Sequence, residues 1–321
     1  MPVFDYSLKD LKKYKGINPR PKDFDSYWKN AIKEMKGIDP DVELVPVKFK
    51  VPYAECYDLY FTGVRSARIH AKYIRPKNAE TPHPAVLKFH GYSVNSGDWS
   101  HVLHYAALGF SVTCMDCRGQ GGLSEDPGGI KGNTLQGHII RGIDDTPENL
   151  LFRQIFLDTA QLASIVMDMP EVDEKRVGVQ GGSQGGGLSL ACAALEPRIS
   201  KAVVHMPFLS DYKRVWDLDL AVNAYEELKL YFKRFDPRHE RENEIYTKLG
   251  YIDVQNLAGR IKAEVLFFTG LMDMICPPST QFAAYNKIRS KKKMLIYPDY
   301  DHCDYPDLSD KAFEFFSGFL K

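Results

Sequence analysis

From Pro84 onward the chain carries six short, nearly continuous apolar runs: PAVLKFH, FSVTCMD, RVGVQG, KAVVHMP, EVLFFTG and KMLIYP. A strand wetted on one face alternates apolar with polar residues, whereas a run that is apolar throughout needs cover on both faces. Helical patterns lie between several of these runs, as with Leu151, Ile155, Leu162, Ile165 and Val166. Strand and helix in alternation predict an α/β fold, a mostly parallel central sheet with helices on both faces. Ahead of it, ELVPVKFKVPY, CYDLYFTGV and ARIHAKYIRP alternate in polarity across short turns and predict an antiparallel meander. Residues 1–40 read as an N-terminal helical extension with Phe24, Trp28, Ile32 and Met35 on one side of a helix. From about Pro207 to Ile261 the rhythm gives way to a long charged and aromatic stretch. It predicts a helical insertion over the carboxyl ends of the strands, where open α/β sheets place their sites. A single domain spanning 1–321 is expected.

Charge excludes some partners. Lys+Arg and Asp+Glu number 42 each, so no overall field favours nucleic acid or a membrane surface. The run Lys291-Lys292-Lys293 reads as a solvated loop. MPVFDYSLKD lacks the charged-then-apolar pattern of a secretory signal, no apolar run approaches spanning length, and a cytoplasmic location is the expectation. Six cysteines are too sparse for a disulfide scaffold in a chain this long.

The segment VGVQGGSQGGGLSLACAALEP places five glycines between Gly181 and Gly187, around Ser183 and Gln184. A strand precedes it. A helix follows, with Leu188, Leu190, Ala191, Ala194 and Leu195 expected on its apolar face. No Lys-Ser or Lys-Thr follows the glycines, which argues against a phosphate-binding loop. Gly181-Gly182-Ser183-Gln184-Gly185 fits G-x-S-x-G in its strand–turn–helix context, where small neighbours let strand and helix approach a strained serine.

A serine hydroxyl is a weak nucleophile near neutral pH and needs a base, which in turn needs an acid to hold its tautomer. On a sheet of this kind the acid and the histidine follow the serine in that order. His205 lies in an apolar run and reads as packed. His239 sits among charges in the insertion. His302 follows a strand, in a loop before the last helix, and is the expected base. Asp273 follows EVLFFTG and is the expected acid, with capping of the helix near Pro278 as its alternative use. The backbone N–H groups of Gln184 and of Tyr92, in HGY after the first buried strand, are the expected oxyanion donors. One such donor is typically worth about 10²–10³ in rate. Gly91 is expected to permit the turn that aims Tyr92, and His90 to shape that loop. Cys114-x-x-Cys117 lies at a strand end without a second Cys/His pair to complete a metal site, and reads as buried small hydrophobes. Arg118 is expected to anchor loops near the site.

Taken together these motifs resemble the acetyl xylan esterases of the cephalosporin-C deacetylase type, the seventh carbohydrate esterase family of the α/β-hydrolases. PKDFDSYW is similar to that family's N-terminal helix and HGY to its oxyanion loop. Arg118-Gly119-Gln120 is similar to its RGQ motif and Gly181 to Gly185 to its GxSQG elbow. FDPRHERE, GLMDMICPPST and the final His302 also lie where the family has them. The resemblance implies Ser183 as nucleophile, His302 as base, Asp273 as acid, and Tyr92 and Gln184 as oxyanion donors. It implies deacetylation of short xylo-oligosaccharides and of cephalosporin C, with acetyl transfer to hydrogen peroxide as a side activity. It also implies a homohexamer working in the cytoplasm without metal or cofactor. One departure stands out: the family's terminal His-Glu is here His302-Cys303. Two rival readings are a peptidase of the prolyl-oligopeptidase type, for whose accessory domain the chain is short, and a non-catalytic binding protein that keeps the fold.

Overall fold

The structure, a computed structural model, describes residues 4–129 and 138–320. The extension forms α1 (Leu8–Leu11) and α2 (Phe24–Lys36). Phe24, Trp28, Ala31 and Met35 repeat at helical spacing along α2, so one stripe is buried while the other faces water. The meander follows as β1 (Glu43–Pro46), β2 (Ala54–Thr62) and β3 (Arg68–Pro76), paired antiparallel as expected. Pro46, which cannot donate to a ladder, lies on the edge strand β1.

Next come β4 (His83–Phe89), α3 (Leu103–Ala107), β5 (Ser111–Met115), α4 (Leu151–Met167), β6 (Val172–Gly182), α5 (Gln184–Leu195) and β7 (Lys201–His205). Between β7 and the next strand the chain is helical, with α6 (Tyr212–Asp217), α7 (Glu226–Phe235), α8 (Glu242–Leu249) and α9 (Val254–Leu257). The last elements are β8 (Glu264–Gly270), α10 (Pro278–Lys287), β9 (Lys292–Tyr297) and α11 (Leu308–Ser317). The nine strands lie in one sheet in the order β1-β2-β3-β5-β4-β6-β7-β8-β9. From β5 to β9 neighbours run parallel, and β3 joins β5 antiparallel. The loops after β4, β5, β6, β8 and β9 therefore open at the same edge of the sheet.

Two expectations change. The helix after the glycines is not one-faced, because all twelve residues of α5 are buried. It packs against β6, β7, α4 and α9 at once, and a helix enclosed on every side is apolar all round. Two residues of the lysine run, Lys292 and Lys293, belong to β9, and the Lys292 ammonium donates to the carbonyls of Tyr285 and Ile288 at the end of α10. Among the described residues no helix is long and apolar enough to cross a membrane.

Candidate active site

Ser183 sits at the junction of β6 and α5 with φ 55° and ψ −120°, a strained conformation that costs about 1–3 kcal/mol and persists only where the surroundings enforce it. Three backbone hydrogen bonds do so. Ser183 N–H donates to the His205 carbonyl at 3.0 Å, while the Ser183 carbonyl accepts from Phe208 at 2.9 Å and from Gly187 at 3.1 Å. The flanking glycines answer a steric demand. A Cβ on Gly185 would lie 2.0 Å from the Phe89 carbonyl oxygen, and one on Gly181 would lie 2.3 Å from the Gly185 carbonyl carbon. No side chain fits at either place.

The loops after β8 and β9 bring two more groups to this turn. His302 Nε2 lies 3.0 Å from Ser183 Oγ. Its Nδ1 lies 2.8 Å from Asp273 Oδ2. Asp273 is fully buried, and all of its bonds come from donors. Oδ1 accepts the amides of Ile275 at 2.9 Å and Cys276 at 2.8 Å. Oδ2 takes Gln281 Nε2 at 3.1 Å besides the imidazole. Asp273 thus turns its own loop and holds the imidazole, while the Ser279 amide in the first turn of α10 donates to Asp5 Oδ2 at 2.7 Å. With Nδ1–H tied to a carboxylate, Nε2 is left as the acceptor facing the hydroxyl.

The loop after β4, expected to supply an oxyanion donor, departs from expectation in one respect. Gly91 has no positive φ, and a Cβ on it would meet nothing within 4 Å. The left-handed residue in this turn is Ser93, with φ 60°. The loop is held by side chains instead. Gln184 Nε2 donates to the Gly91 carbonyl at 3.3 Å and to Gln120 Oε1 at 3.0 Å. Gln120 Nε2 donates back to Gln184 Oε1 at 2.8 Å, and Gln120 Oε1 also accepts Ser93 N–H at 3.0 Å. His90 adds a brace: Nδ1 donates to the Gly91 carbonyl at 2.7 Å, and Nε2 accepts the Cys117 amide at 3.0 Å. The amides of Tyr92 and Gln184 donate to no other group among the described residues, which leaves both available to an incoming oxygen.

Of the supports around the site, Glu227 and His70 carry no local sequence signal, while Arg118 anchors loops as expected. Glu227, on α7 of the insertion, is buried, and burial pushes its carboxyl up against the pull of its donors. Its Oε1 accepts Tyr92 Oη at 2.9 Å and the Ile139 amide at 3.0 Å, and Oε2 accepts the His138 amide at 3.0 Å. Arg118 runs under the site to a buried Asp158, with Nε and Nη2 on the two carboxylate oxygens at 2.7 and 2.6 Å. Gly119 follows with φ 71°, turning the loop toward Gln120. His70 is sandwiched between Asp116 Oδ2 at 2.6 Å and Asp58 Oδ1 at 3.0 Å. Burial opposes its charge, but the two carboxylates outweigh that and raise its pKa. Asp116 also takes the amides of Ser96 and Leu123, tying the two loops together.

The remaining candidates keep to the side. His205 is buried, and burial lowers its pKa to about 3, so it packs as a neutral ring 4.5 Å from Tyr305. His239 pairs with Glu242 on the surface. Cys114 and Cys117 are free and buried, and burial pushes both thiols up. Asp273, Cys276 and His302 offer metal-ligating atoms within 4.8 Å of one another. The imidazole and carboxylate already bond each other there, so a cation would break the serine–histidine–aspartate chain. Cys303, next to the imidazole-bearing residue, is partly exposed, and its bond to Asp301 raises its pKa.

Sheet order, elbow and loop placement define an α/β-hydrolase. The profile of the acetyl xylan esterase (AXE1) family matches residues 1–319. The chain belongs to that family, a group of carboxylic ester hydrolases. It is similar to acetyl xylan esterase 1 from Thermoanaerobacterium sp. JW/SL YS485, with 65% identity, TM-score 0.97, and coverage of 99% of this chain and 100% of that one. An acetyl xylan esterase from Paenibacillus sp. R4 is 35% identical, with TM-score 0.93 and coverage of 98% and 99%. Acetyl esterase Axe7A of Xylanibacter ruminicola is 30% identical over 294 residues, which is 90% of this chain; the chain spans 65% of that curated relative's length.

The Glu227 contacts yield a prediction. In Glu227→Gln, an NH2 group replaces an oxygen that accepts N–H donors, and the buried mismatch costs about 1–3 kcal/mol. We expect kcat on p-nitrophenyl acetate to fall about tenfold or more, with KM nearly unchanged, because Tyr92 loses its anchor while the rest of the cleft stays. A rise in KM with kcat unchanged would refute a link through Tyr92.

Proposed function

We propose that this protein is a serine esterase that removes acetyl groups from short acetylated xylo-oligosaccharides and from cephalosporin C. The observation that carries the reading is the imidazole of His302 lying 3.0 Å from Ser183 Oγ and 2.8 Å from Asp273 Oδ2. The cycle starts as His302 Nε2 takes the Ser183 proton and Oγ attacks the ester carbonyl carbon. The Tyr92 and Gln184 amides receive the oxyanion. Collapse of the tetrahedral intermediate breaks the bond to the sugar oxygen, which leaves with the proton from His302. Water, deprotonated by the same imidazole, then attacks the acetyl-serine and releases acetate. Asp273 keeps the imidazole in the required tautomer and stabilises its transient charge. The same acetyl-serine would pass its acyl group to hydrogen peroxide.

The acetyl preference is supported by the names of the relatives, each an acetyl or acetyl xylan esterase. It is tested with acetyl, propionyl and butyryl esters on xylose and cephalosporin scaffolds. Each added methylene is worth about 1–3 kcal/mol in a close-fitting acyl site, so kcat/KM is expected to fall at least about tenfold from acetyl to butyryl. A preference for butyryl would overturn the reading. A homohexamer is proposed from the family resemblance, and a single domain over 1–321 from chain length and element order; sedimentation checks the first.

A further inference from the structure

A cleft of roughly 810 Å³ lies where the N-terminal extension meets the distal end of α10. Its wall includes Lys15, Arg20, Arg260, Lys287 and Arg289, with Asp25 as the one acidic side chain. Asp25 is already engaged by two of these cations, its carboxylate oxygens lying 2.6 Å from Arg20 and 2.6 Å from Arg260. Lys15 and Arg289 are exposed and form no ion pair with the described residues. Lys287 is half-buried, and its ammonium donates to Gln255 Oε1 at 2.7 Å. Five cations lining the cleft with one carboxylate stand out in a chain whose charges sum to zero overall. Like charges held together around a concave surface repel one another, and a bound counter-anion relieves that repulsion. Burial lowers the Lys287 pKa first; the buried carboxylates of Asp253 and Asp211 pull it back up, and the charges of Arg20 and Lys15 add smaller pushes downward.

We propose that this cleft is a binding site for a small, multiply charged phosphate compound of the pyrophosphate class. Two arginines offer planar forks that match phosphate oxygens, and the lysines add point charges. The surplus of positive charge exceeds what one carboxylate would neutralise, and the volume exceeds what one orthophosphate fills. The concave wall favours a compact ligand over a nucleic acid, whose backbone is met by extended basic surfaces. The site is separate from the esterase centre. Lys287 ends the ten-residue α10, whose fourth residue, Gln281, bonds Asp273, so the two are about 9 Å apart along the helix axis.

The test is thermal melting of the full chain with sodium pyrophosphate, with ionic strength matched throughout by sodium chloride. The expected result is a midpoint that climbs with pyrophosphate, as a ligand bound only by the folded state requires. The Lys15→Gln/Arg289→Gln variant changes two exposed side chains and should fold normally. Its pyrophosphate affinity is expected to drop at least about tenfold, since charge-assisted contacts are lost. No rise in midpoint, or an equal rise in the variant, would overturn the proposal. So would an equal response to sodium glucuronate, which would mark single-carboxylate recognition, or tighter binding of a DNA oligonucleotide. A smaller particle in sedimentation of the variant would assign these cations to contacts between copies and also overturn it.

Discussion

Ser183→Ala is expected to lower the turnover of p-nitrophenyl acetate by about 10⁴–10⁶-fold while leaving the protein folded. The size follows from what the hydroxyl does. Without Oγ no acyl-enzyme forms, and what remains is binding and polarisation by the oxyanion donors, which account for about 10³–10⁴ over water in comparable hydrolases. The fold should survive because Oγ bonds His302, while the strained backbone is held by the amide of Ser183 and by donors from Phe208 and Gly187. His302→Ala should cost a similar factor, and the double variant little more, since the groups act as a unit. Steady-state rates with matched melting curves check all three. Turnover in Ser183→Ala above about one per cent of the parent, against the loss expected of a nucleophile, would remove Ser183 from the mechanism.

Arg118→Met is expected to destabilise the protein by about 3–5 kcal/mol, the cost of leaving one partner of a buried ion pair alone. Arg118 and Asp158 are each 1% exposed, and the guanidinium also donates to the Val64 carbonyl at 3.1 Å. The pair fills the space beside Gly63, where a Cβ would lie 2.6 Å from Asp158 Oδ1. Burial raises the Asp158 pKa, and Arg118 opposes that rise. A carboxyl with a raised folded-state pKa holds its proton more tightly folded than unfolded. Its contribution to stability is therefore lost as pH rises from the unfolded value toward the folded one. Removing Arg118 pushes the folded value higher and widens that window upward. The deficit of the variant should accordingly be largest near pH 7 and shrink toward pH 5. Urea denaturation at both pH values measures it, and Arg118→Met/Asp158→Leu should recover most of the loss. A deficit independent of pH would mean that Asp158 does not carry the penalty.

Much of this protein is legible along the chain because the governing signals are local. Uninterrupted apolar runs require strands covered on both faces, and the sheet forms from them. Glycines around Ser183 mark a place where backbones touch, and the Gly185 Cβ clash with Phe89 gives the reason. Order along the chain also ranks the histidines, and His302 is the one that meets both Ser183 and Asp273. The misreadings have a common cause. Gly91 looked like a turn glycine, yet its backbone is ordinary and the loop is fixed by Gln184 and Gln120 from elsewhere. The helix after the elbow looked one-sided, and only the packing of α4 and α9 shows why its other faces are apolar too.

The sequence by itself determined the order of elements, the elbow, and which residues could form a serine–histidine–aspartate chain. Those are matters of periodicity, small side chains and residue type, each readable within a short window. Tertiary structure alone decided the partners: Glu227 for Tyr92 across 135 residues, Gln184 for Gln120 across 64, and Asp158 for Arg118 across 40. A buried polar group must find a complementary one wherever the fold brings it, and that choice depends on distances in space that the spacing along a chain does not encode.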